Sequence, residues 1–287
     1  MKKSGFAVLI GRSNVGKSTL LNSLVGTKVA ITTPKPQTTR QPLQGVLTRK
    51  EGQAVFVDTP GIMQKARDPL TKKLLTFVND SLKDIDVILY VADPTRAIGN
   101  EEKQTLKLIE NLKHPKLLVI NKTDLHASKK YIDMYRDIGK SDLFDHYIEV
   151  SATRRSNLDR VEHWIFDNLP EGEFMYPDGE ISNISKEDQI AELIREKLFL
   201  RLRQEVPYST HVVVEEIAPR KSGAMYVKAT IYTNEERYKR MIIGKGGRGI
   251  NEIGRSTRRE LETVTGRSFF LDLNVEVDAH WVDRLDS

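Results

Sequence analysis

Over the first 170 residues, short apolar runs alternate with stretches whose apolar positions recur at helical spacing. Phe6-Ala7-Val8-Leu9-Ile10 is the first such run, and Val87-Ile88-Leu89-Tyr90-Val91-Ala92 and Leu117-Leu118-Val119-Ile120 are the most apolar. The alternation predicts an α/β domain built on a doubly wound, mostly parallel sheet. Strands are expected near 5–10, 42–49, 53–58, 86–92, 116–121 and 146–150, and helices near 17–25, 70–82, 100–113, 128–138 and 157–168. The two most apolar runs have no polar alternation, which predicts strands covered on both faces.

The pattern changes after Leu169. Pro170-Glu171-Gly172-Glu173 and Pro177-Asp178-Gly179 are rich in turn formers and acids, so 171–184 reads as a linker between a first domain at 1–170 and a second at 185–287. Ser185 is an N-cap candidate for an amphipathic helix over 185–204, with Ile190, Leu193, Ile194, Leu198 and Leu202 at helical spacing. Strands are expected over 210–217 and 225–232, joined at Pro219-Arg220-Lys221-Ser222-Gly223. A short helix over 235–243 then precedes Gly244-Lys245-Gly246-Gly247 and a longer helix with apolar Ile250, Ile253, Leu261 and Val264, and a last strand covers 269–277. The order is αββααβ.

Composition narrows the chemistry. The absence of cysteine excludes disulfides and thiolate metal sites, and the six histidines lack zinc-site spacing. No segment approaches the ~18 consecutive apolar residues of a membrane-spanning helix, so a soluble, cytoplasmic protein is expected. The formal net charge is +5, yet Arg237 to Arg267 alone holds nine basic residues (Arg237, Lys239, Arg240, Lys245, Arg248, Arg255, Arg258, Arg259, Arg267) against three acidic ones. Such a segment fits a polyanion site, or a solvated helix face.

Gly11-Arg12-Ser13-Asn14-Val15-Gly16-Lys17-Ser18, followed by Thr19, joins the first strand to the first helix. The pattern G-x-x-x-x-G-K-[ST] suits phosphate because backbone N–H groups of residues 11–19 converge at a helix N-terminus. Lys17 is expected to reach the β- and γ-phosphates and Ser18 to ligate Mg²⁺. In an open sheet of this kind the ligand lies beyond the strand carboxyl ends, and further motifs follow strands there: Asp58-Thr59-Pro60-Gly61, Asn121-Lys122-Thr123-Asp124 and Ser151-Ala152-Thr153. Asp58 can hold the metal through a water, and the Gly61 N–H can approach the γ-phosphate. Thr39, in the polar loop Thr32–Arg40, can complete the metal shell when the γ-phosphate is present, which makes the loop a switch. The Asp124 carboxylate only accepts hydrogen bonds, and guanine offers it two adjacent donors that adenine lacks, so GTP is favoured over ATP. Asn121 would brace the loop and contact the base, Lys122 would lie along its face, and the Ala152 backbone would meet the guanine carbonyl, with Ser151 beside it.

With Asn-Val-Gly-Lys-Ser-Thr-Leu-Leu-Asn, Gln-Thr-Thr-Arg, Asp-Thr-Pro-Gly, Asn-Lys-x-Asp and Ser-Ala in order, the chain resembles the TrmE–Era group of translation-factor-class GTPases, and within it the Era family. That resemblance implies GTP hydrolysis with Mg²⁺, in which Lys17, Thr39 and Gly61 serve the chemistry. It also implies potassium bound near Asn14, which could instead be a loop brace, because apolar Ile62 stands where related GTPases have a water-positioning glutamine. The αββααβ half with its G-x-x-G resembles a type II KH domain, implying single-stranded RNA held by Gly244, Lys245, Gly246, Gly247, Arg248 and Arg255, with Ile242, Ile243 and Ile250 as groove or core residues. By the same resemblance the RNA is the 3′ end of small-subunit ribosomal RNA, the role is small-subunit assembly, the protein is a monomer, and a peripheral contact with the inner membrane is a side activity. The acidic last strand, with Asn274, Glu276 and Asp278, departs from the family pattern, which only Trp281 resembles, and Ser13 stands where proline is common. The competing expectations are an RNA-binding adaptor that GTP merely stabilises and a membrane-associated signalling GTPase.

Overall fold

The computed structural model describes residues 2–35, 38–40, 43–61, 76, 78, 80–82 and 84–282. Ile62, most of the helix expected near 70–82, and Pro36 and Gln37 of the polar loop lie outside them. The chain divides into two compact units, Met1–Thr32 with Thr39–Asn183, and Thr33–Thr38 with Ile184–Ser287.

In the first unit, β1 (Lys3–Ile10), β2 (Leu43–Thr48), β3 (Gly52–Asp58), β4 (Val87–Ala92), β5 (Lys116–Ile120) and β6 (His146–Glu149) form a sheet in the order β2-β3-β1-β4-β5-β6. All neighbours are parallel except β2, which runs antiparallel to β3. α1 (Lys17–Val25), α2 (Asn100–Glu110), α3 (Ile132–Gly139) and α4 (Leu158–Asn168) accompany it. β4 and β5 are buried throughout, as their unbroken apolar runs require. Val8, Ile10, Ile88, Tyr90, Leu118 and Ile120 enter one core with Ile109 of α2 and Tyr135 of α3. Strand order turns around at β1, which has β3 on one side and β4 on the other, so a crevice opens beyond Ile10.

The helix expected over 128–138 divides into a 3₁₀ turn, His126–Lys130, and α3, because Tyr131 at φ −128 leaves the helical region. The segment read as a linker is tied to the sheet edge up to Asn183. Buried Gln53 accepts from the Met175 and Tyr176 N–H groups at 2.8 and 2.9 Å and donates to the Tyr176 carbonyl at 2.9 Å, while Glu171 and Ser182 bridge to Lys3 and Gly45. Composition alone could not show this, since the bonds use backbone groups that every sequence has.

The second unit has α5 (Lys186–Arg201), β7 (Thr210–Pro219), β8 (Met225–Thr233), α6 (Glu236–Ile243), α7 (Arg248–Thr265) and β9 (Phe269–Val277), which is the expected αββααβ order. β8 is central, antiparallel to β7 and parallel to β9. Ser185 caps α5 by accepting from the Asp188 N–H at 3.0 Å. Ile194, Leu198, Val227, Ala229, Ile231, Ile242, Ile253 and Val275 make the core. Val264, expected on the apolar stripe of α7, is 72 % exposed, and its neighbours in the last turn, Thr263 and Thr265, are exposed with it. Within this unit Lys35 donates to the carbonyls of Phe199 and Leu202 at the end of α5, and buried Arg195 donates to the Thr38 carbonyl. No helix among the described residues is long and apolar enough to cross a membrane.

Candidate functional site

The loop from Gly11 to Gly16 fills the crevice beyond β1 and delivers Lys17 to the first turn of α1. Gly16 needs to be glycine twice over: its φ is +99, and a Cβ there would lie 2.4 Å from Asn121 Nδ2. Lys17 donates to the carbonyls of Gly11 at 3.1 Å and Arg12 at 3.4 Å. Burial pulls the Lys17 pKa below its ordinary value, opposed by the charges of Asp58 and Glu102.

Three residues far apart in sequence meet at one carboxylate. Asp58 Oδ2 accepts from Ser18 Oγ at 2.5 Å and from Thr39 Oγ1 at 3.1 Å, and the two hydroxyls lie 3.1 Å apart. Asp58 Oδ1 is buried with no hydrogen-bond partner. Burial raises the Asp58 pKa, against the charge of Lys17 and the bonds from Ser18 and Thr39. Two hydroxyls and one carboxylate, whose second oxygen is buried without a donor, fit a magnesium site that takes its other ligands from phosphate and water. No group of three or more His, Cys, Asp or Glu suited to an all-protein metal cage occurs among the described residues. Gly61 sits against the loop: Ser13 Oγ donates to its carbonyl at 3.3 Å, and a Cβ there would lie 2.6 Å from Ser13 Cα.

At the base end, Asn121 Nδ2 donates to the Val15 carbonyl at 3.0 Å and its Oδ1 accepts from the Ala152 N–H at 3.0 Å. The brace expected of Asn121 is therefore present, while the Ala152 N–H expected for the guanine carbonyl is engaged by Asn121. Ser151 Oγ donates to Asp124 Oδ1 at 2.7 Å, and Arg154 Nε lies 3.7 Å from Asp124 Oδ2. The Lys122 ammonium donates to the Asn14 carbonyl at 2.5 Å and to Asp93 Oδ2 at 2.8 Å. Asn14 itself is in the left-handed region, at φ +64, and is partly exposed between buried Ser13 and Val15. Thr19 follows Ser18 inside the first turn of α1.

Asp93 escaped the sequence analysis. It follows β4 directly, at the same end of the sheet as Asp58 and Asn121, so the rule that found those residues could have found it too. Arg12 and Glu102 had no such signal, being an unassigned loop position and a polar residue in a helix.

In the second unit, Gly244, Gly246 and Gly247 all have positive φ (+70, +59 and +75) and turn the chain between α6 and α7. Gly247 caps α7 without a side-chain bond, leaving backbone N–H groups at a helix N-terminus suited to a phosphate. Lys245, Arg248 and Arg255 are exposed and pair with no acid among the described residues. Of the two readings open for Ile242, groove or core, the structure gives the core, where it is wholly buried, whereas Ile243 and Ile250 are partly exposed beside it. One-residue steps on a helix turn side chains by ~100°, which is why the neighbours differ. Trp281 is also buried, stacked 5.9 Å from His211.

The chain matches the family of 50S ribosome-binding GTPases over residues 6–122 and the KH domain over residues 205–282. It is 41 % identical over 282 residues to the GTPase Era of Halothermothrix orenii, covering 98 % of this chain and 95 % of that one. To the GTPase Era of Carboxydothermus hydrogenoformans it is 42 % identical over 280 residues, covering 97 % and 94 %. Among solved structures it resembles a single-residue variant of Aquifex aeolicus Era bound to GDP·AlF4⁻ (TM-score 0.92, 36 % identity, 99 % of this chain and 97 % of that one). It likewise resembles Era in complex with MgGDPNP and nucleotides 1506–1542 of 16S ribosomal RNA (TM-score 0.93, 36 % identity, 100 % and 97 %). With a phosphate loop, a guanine-type base loop and a KH fold in one chain, this protein belongs to the Era family of GTPases.

Proposed function

We propose that residues 1–170 bind and hydrolyse GTP, that residues 185–287 bind single-stranded RNA from the 3′ end of small-subunit ribosomal RNA, and that nucleotide state sets this binding during small-subunit assembly. The observation that carries the hydrolytic half is the meeting of the Ser18 and Thr39 hydroxyls on Asp58, whose second oxygen is buried without a partner. Ser18, Thr39 and Asp58 would hold magnesium, Asp58 through a water, and the ion would supply positive charge against the phosphates. Lys17 would bring its ammonium, and Gly61 its N–H, to the phosphates. Gly11, Ser13, Asn14, Val15, Gly16 and Thr19 supply backbone, and Asn121, Lys122, Asp124, Ser151 and Ala152 form the guanine pocket.

Asn14 is the potassium candidate, as a partly exposed neutral amide in the loop. Unassisted turnover is expected at ~10⁻⁴ to 10⁻² s⁻¹, faster in potassium than in sodium; equal single-turnover rates in the two salts would remove potassium from the reading.

Gly244, Lys245, Gly246, Gly247, Arg248 and Arg255 form the RNA face, with Ile243 and Ile250 beside it. What supports coupling is chain continuity. Thr38 groups with the second unit and Thr39 with the first, so ordering Thr39 around a metal acts on the segment that Arg195 and Lys35 hold. The test is binding of a fluorescent oligomer of the ribosomal RNA 3′ end with GDP and then GDPNP. Tighter binding with GDPNP, lost in G244D/G247D, supports the reading, and equal binding in both states removes the switch. Phosphate release by wild type no faster than by K17A would favour the adaptor reading. Any membrane contact is peripheral, and liposome sedimentation with competing RNA checks it.

A further inference from the structure

Arg12, at the first variable position of the phosphate loop, turns away from the phosphate nest. Its Nη2 donates to the Asp93 carbonyl at 3.1 Å and to the Tyr135 hydroxyl at 3.2 Å, and its Nη1 to the Ala97 carbonyl at 3.3 Å. Its Nε lies 2.9 Å from Glu102 Oε2. Glu102 has no exposed surface, and it accepts from the Tyr90 hydroxyl at 2.5 Å and the Tyr135 hydroxyl at 3.1 Å. Burial, reinforced by the Glu102 charge, pushes both tyrosine hydroxyls above their usual range, so they stay protonated donors.

A buried ion pair is weak evidence for stability, because apolar residues of equal volume commonly do as well. What the pair does here is fix register. The loop residue Arg12 is hydrogen-bonded to the segment after β4 and to Tyr135 of α3, and is tied to α2 by the ion pair between its Nε and Glu102, a pair without an aligned hydrogen bond. The carbonyls of Gly11 and Arg12 are the rests of the Lys17 ammonium, and the next carbonyl, that of Ser13, accepts from Arg96 at 3.1 Å. We propose that Glu102, acting through Arg12, is a positioning residue for GTP hydrolysis: it fixes the backbone against which Lys17 is held at the phosphates. Arg12 is accordingly a strut rather than a charge that moves to the γ-phosphate. This rests on the phosphate-loop assignment above.

The test uses the full chain and the variants E102Q, Y135F, R12A and K17A. Readouts are the ³¹P spectrum of bound Mg·GDPNP and single-turnover GTP hydrolysis at saturation, at a temperature where melting curves show the folded state. E102Q is expected to move the β-phosphate resonance and lower the saturated rate about tenfold, and Y135F to shift both the same way by about two- to threefold. An unmoved resonance with an unchanged rate in E102Q would overturn the proposal and leave the pair a packing feature. If E102Q fails to fold, Y135F decides on the same two readouts. A slow R12A beside an E102Q that matches or exceeds wild type would make Arg12 a mobile catalytic charge, and also overturns it. Failure of the phosphate-loop assignment shows separately, as K17A retaining the wild-type rate and resonance.

Discussion

Asn121 Nδ2 donates to the Val15 carbonyl at 3.0 Å across 106 residues of chain, so the base loop and the phosphate loop are one structure. Replacing the amide by a second acceptor in N121D sets a carboxylate oxygen against that carbonyl. Affinity for GDP and for GTP should fall alike, by about 1–3 kcal/mol, in fluorescent-nucleotide titrations. Loss confined to one nucleotide would mean that Asn121 does not serve both.

Asp124 is aimed by Ser151, which donates to its Oδ1 at 2.7 Å and leaves Oδ2 facing Arg154 at 3.7 Å. In D124N an amide donor replaces an acceptor, matching the carbonyl that xanthine carries where guanine has its amine. GTP binding should weaken by about 1–3 kcal/mol and XTP binding should rise. Competition between the two nucleotides measures this, and unaltered preference would place the base elsewhere.

Among the described residues the Thr39 hydroxyl bonds Asp58 and Ser18. T39A should lower single-turnover hydrolysis by about tenfold or more, since one electrostatic contact to a transition state carries that much. Its GDP affinity should stay within about threefold of wild type, a loss well under 1 kcal/mol. Equal losses in both would indicate collapse of the pocket.

Burial acts to raise the Asp93 pKa, but bonds from Lys122 and Thr95 outweigh it, and the carboxyl sits below its ordinary value. A depressed folded-state pKa stabilises above the unfolded pKa of about 4 and loses that stability as pH falls through the folded value. D93N should therefore cost about 1–3 kcal/mol at neutral pH, with the gap from wild type closing below pH ~4. Denaturant melts across pH 3–7 would show it; a gap independent of pH would mean that the charge is not what Lys122 and Thr95 recognise.

Ile242 and Lys245 lie three residues apart with opposite burial. I242A should destabilise the second unit by about 2–5 kcal/mol while the folded protein keeps its RNA affinity. K245A should leave the melt unchanged and weaken RNA binding with a smaller salt slope. The reverse pattern would put the isoleucine in the groove after all.

What the sequence by itself determined are the properties set by neighbours in the chain. The run Phe6–Ile10 had to be a strand, Gly16 had to turn the chain into α1, and Gly244 to Gly247 had to separate two helices, because apolar periodicity and glycine conformation act within a few residues. The rule that ligands gather at strand carboxyl ends pointed to Asp58, Asn121 and Ser151, of which Asp58 bonds Ser18 and Asn121 bonds Val15 of the loop region while Ser151 bonds Asp124. Only the tertiary structure could decide which of these side chains meet. Ser18 reaches Asp58 across 40 residues and Arg12 reaches the Asp93 carbonyl across 81, pairings fixed by strand order and not by spacing. The same holds for Ile242 against Ile243, since both suit either core or groove until the sheet beneath them selects one. It holds for 171–183 as well, whose turn-forming composition concealed the bonds from its backbone to the Gln53 side chain that fasten it to β3.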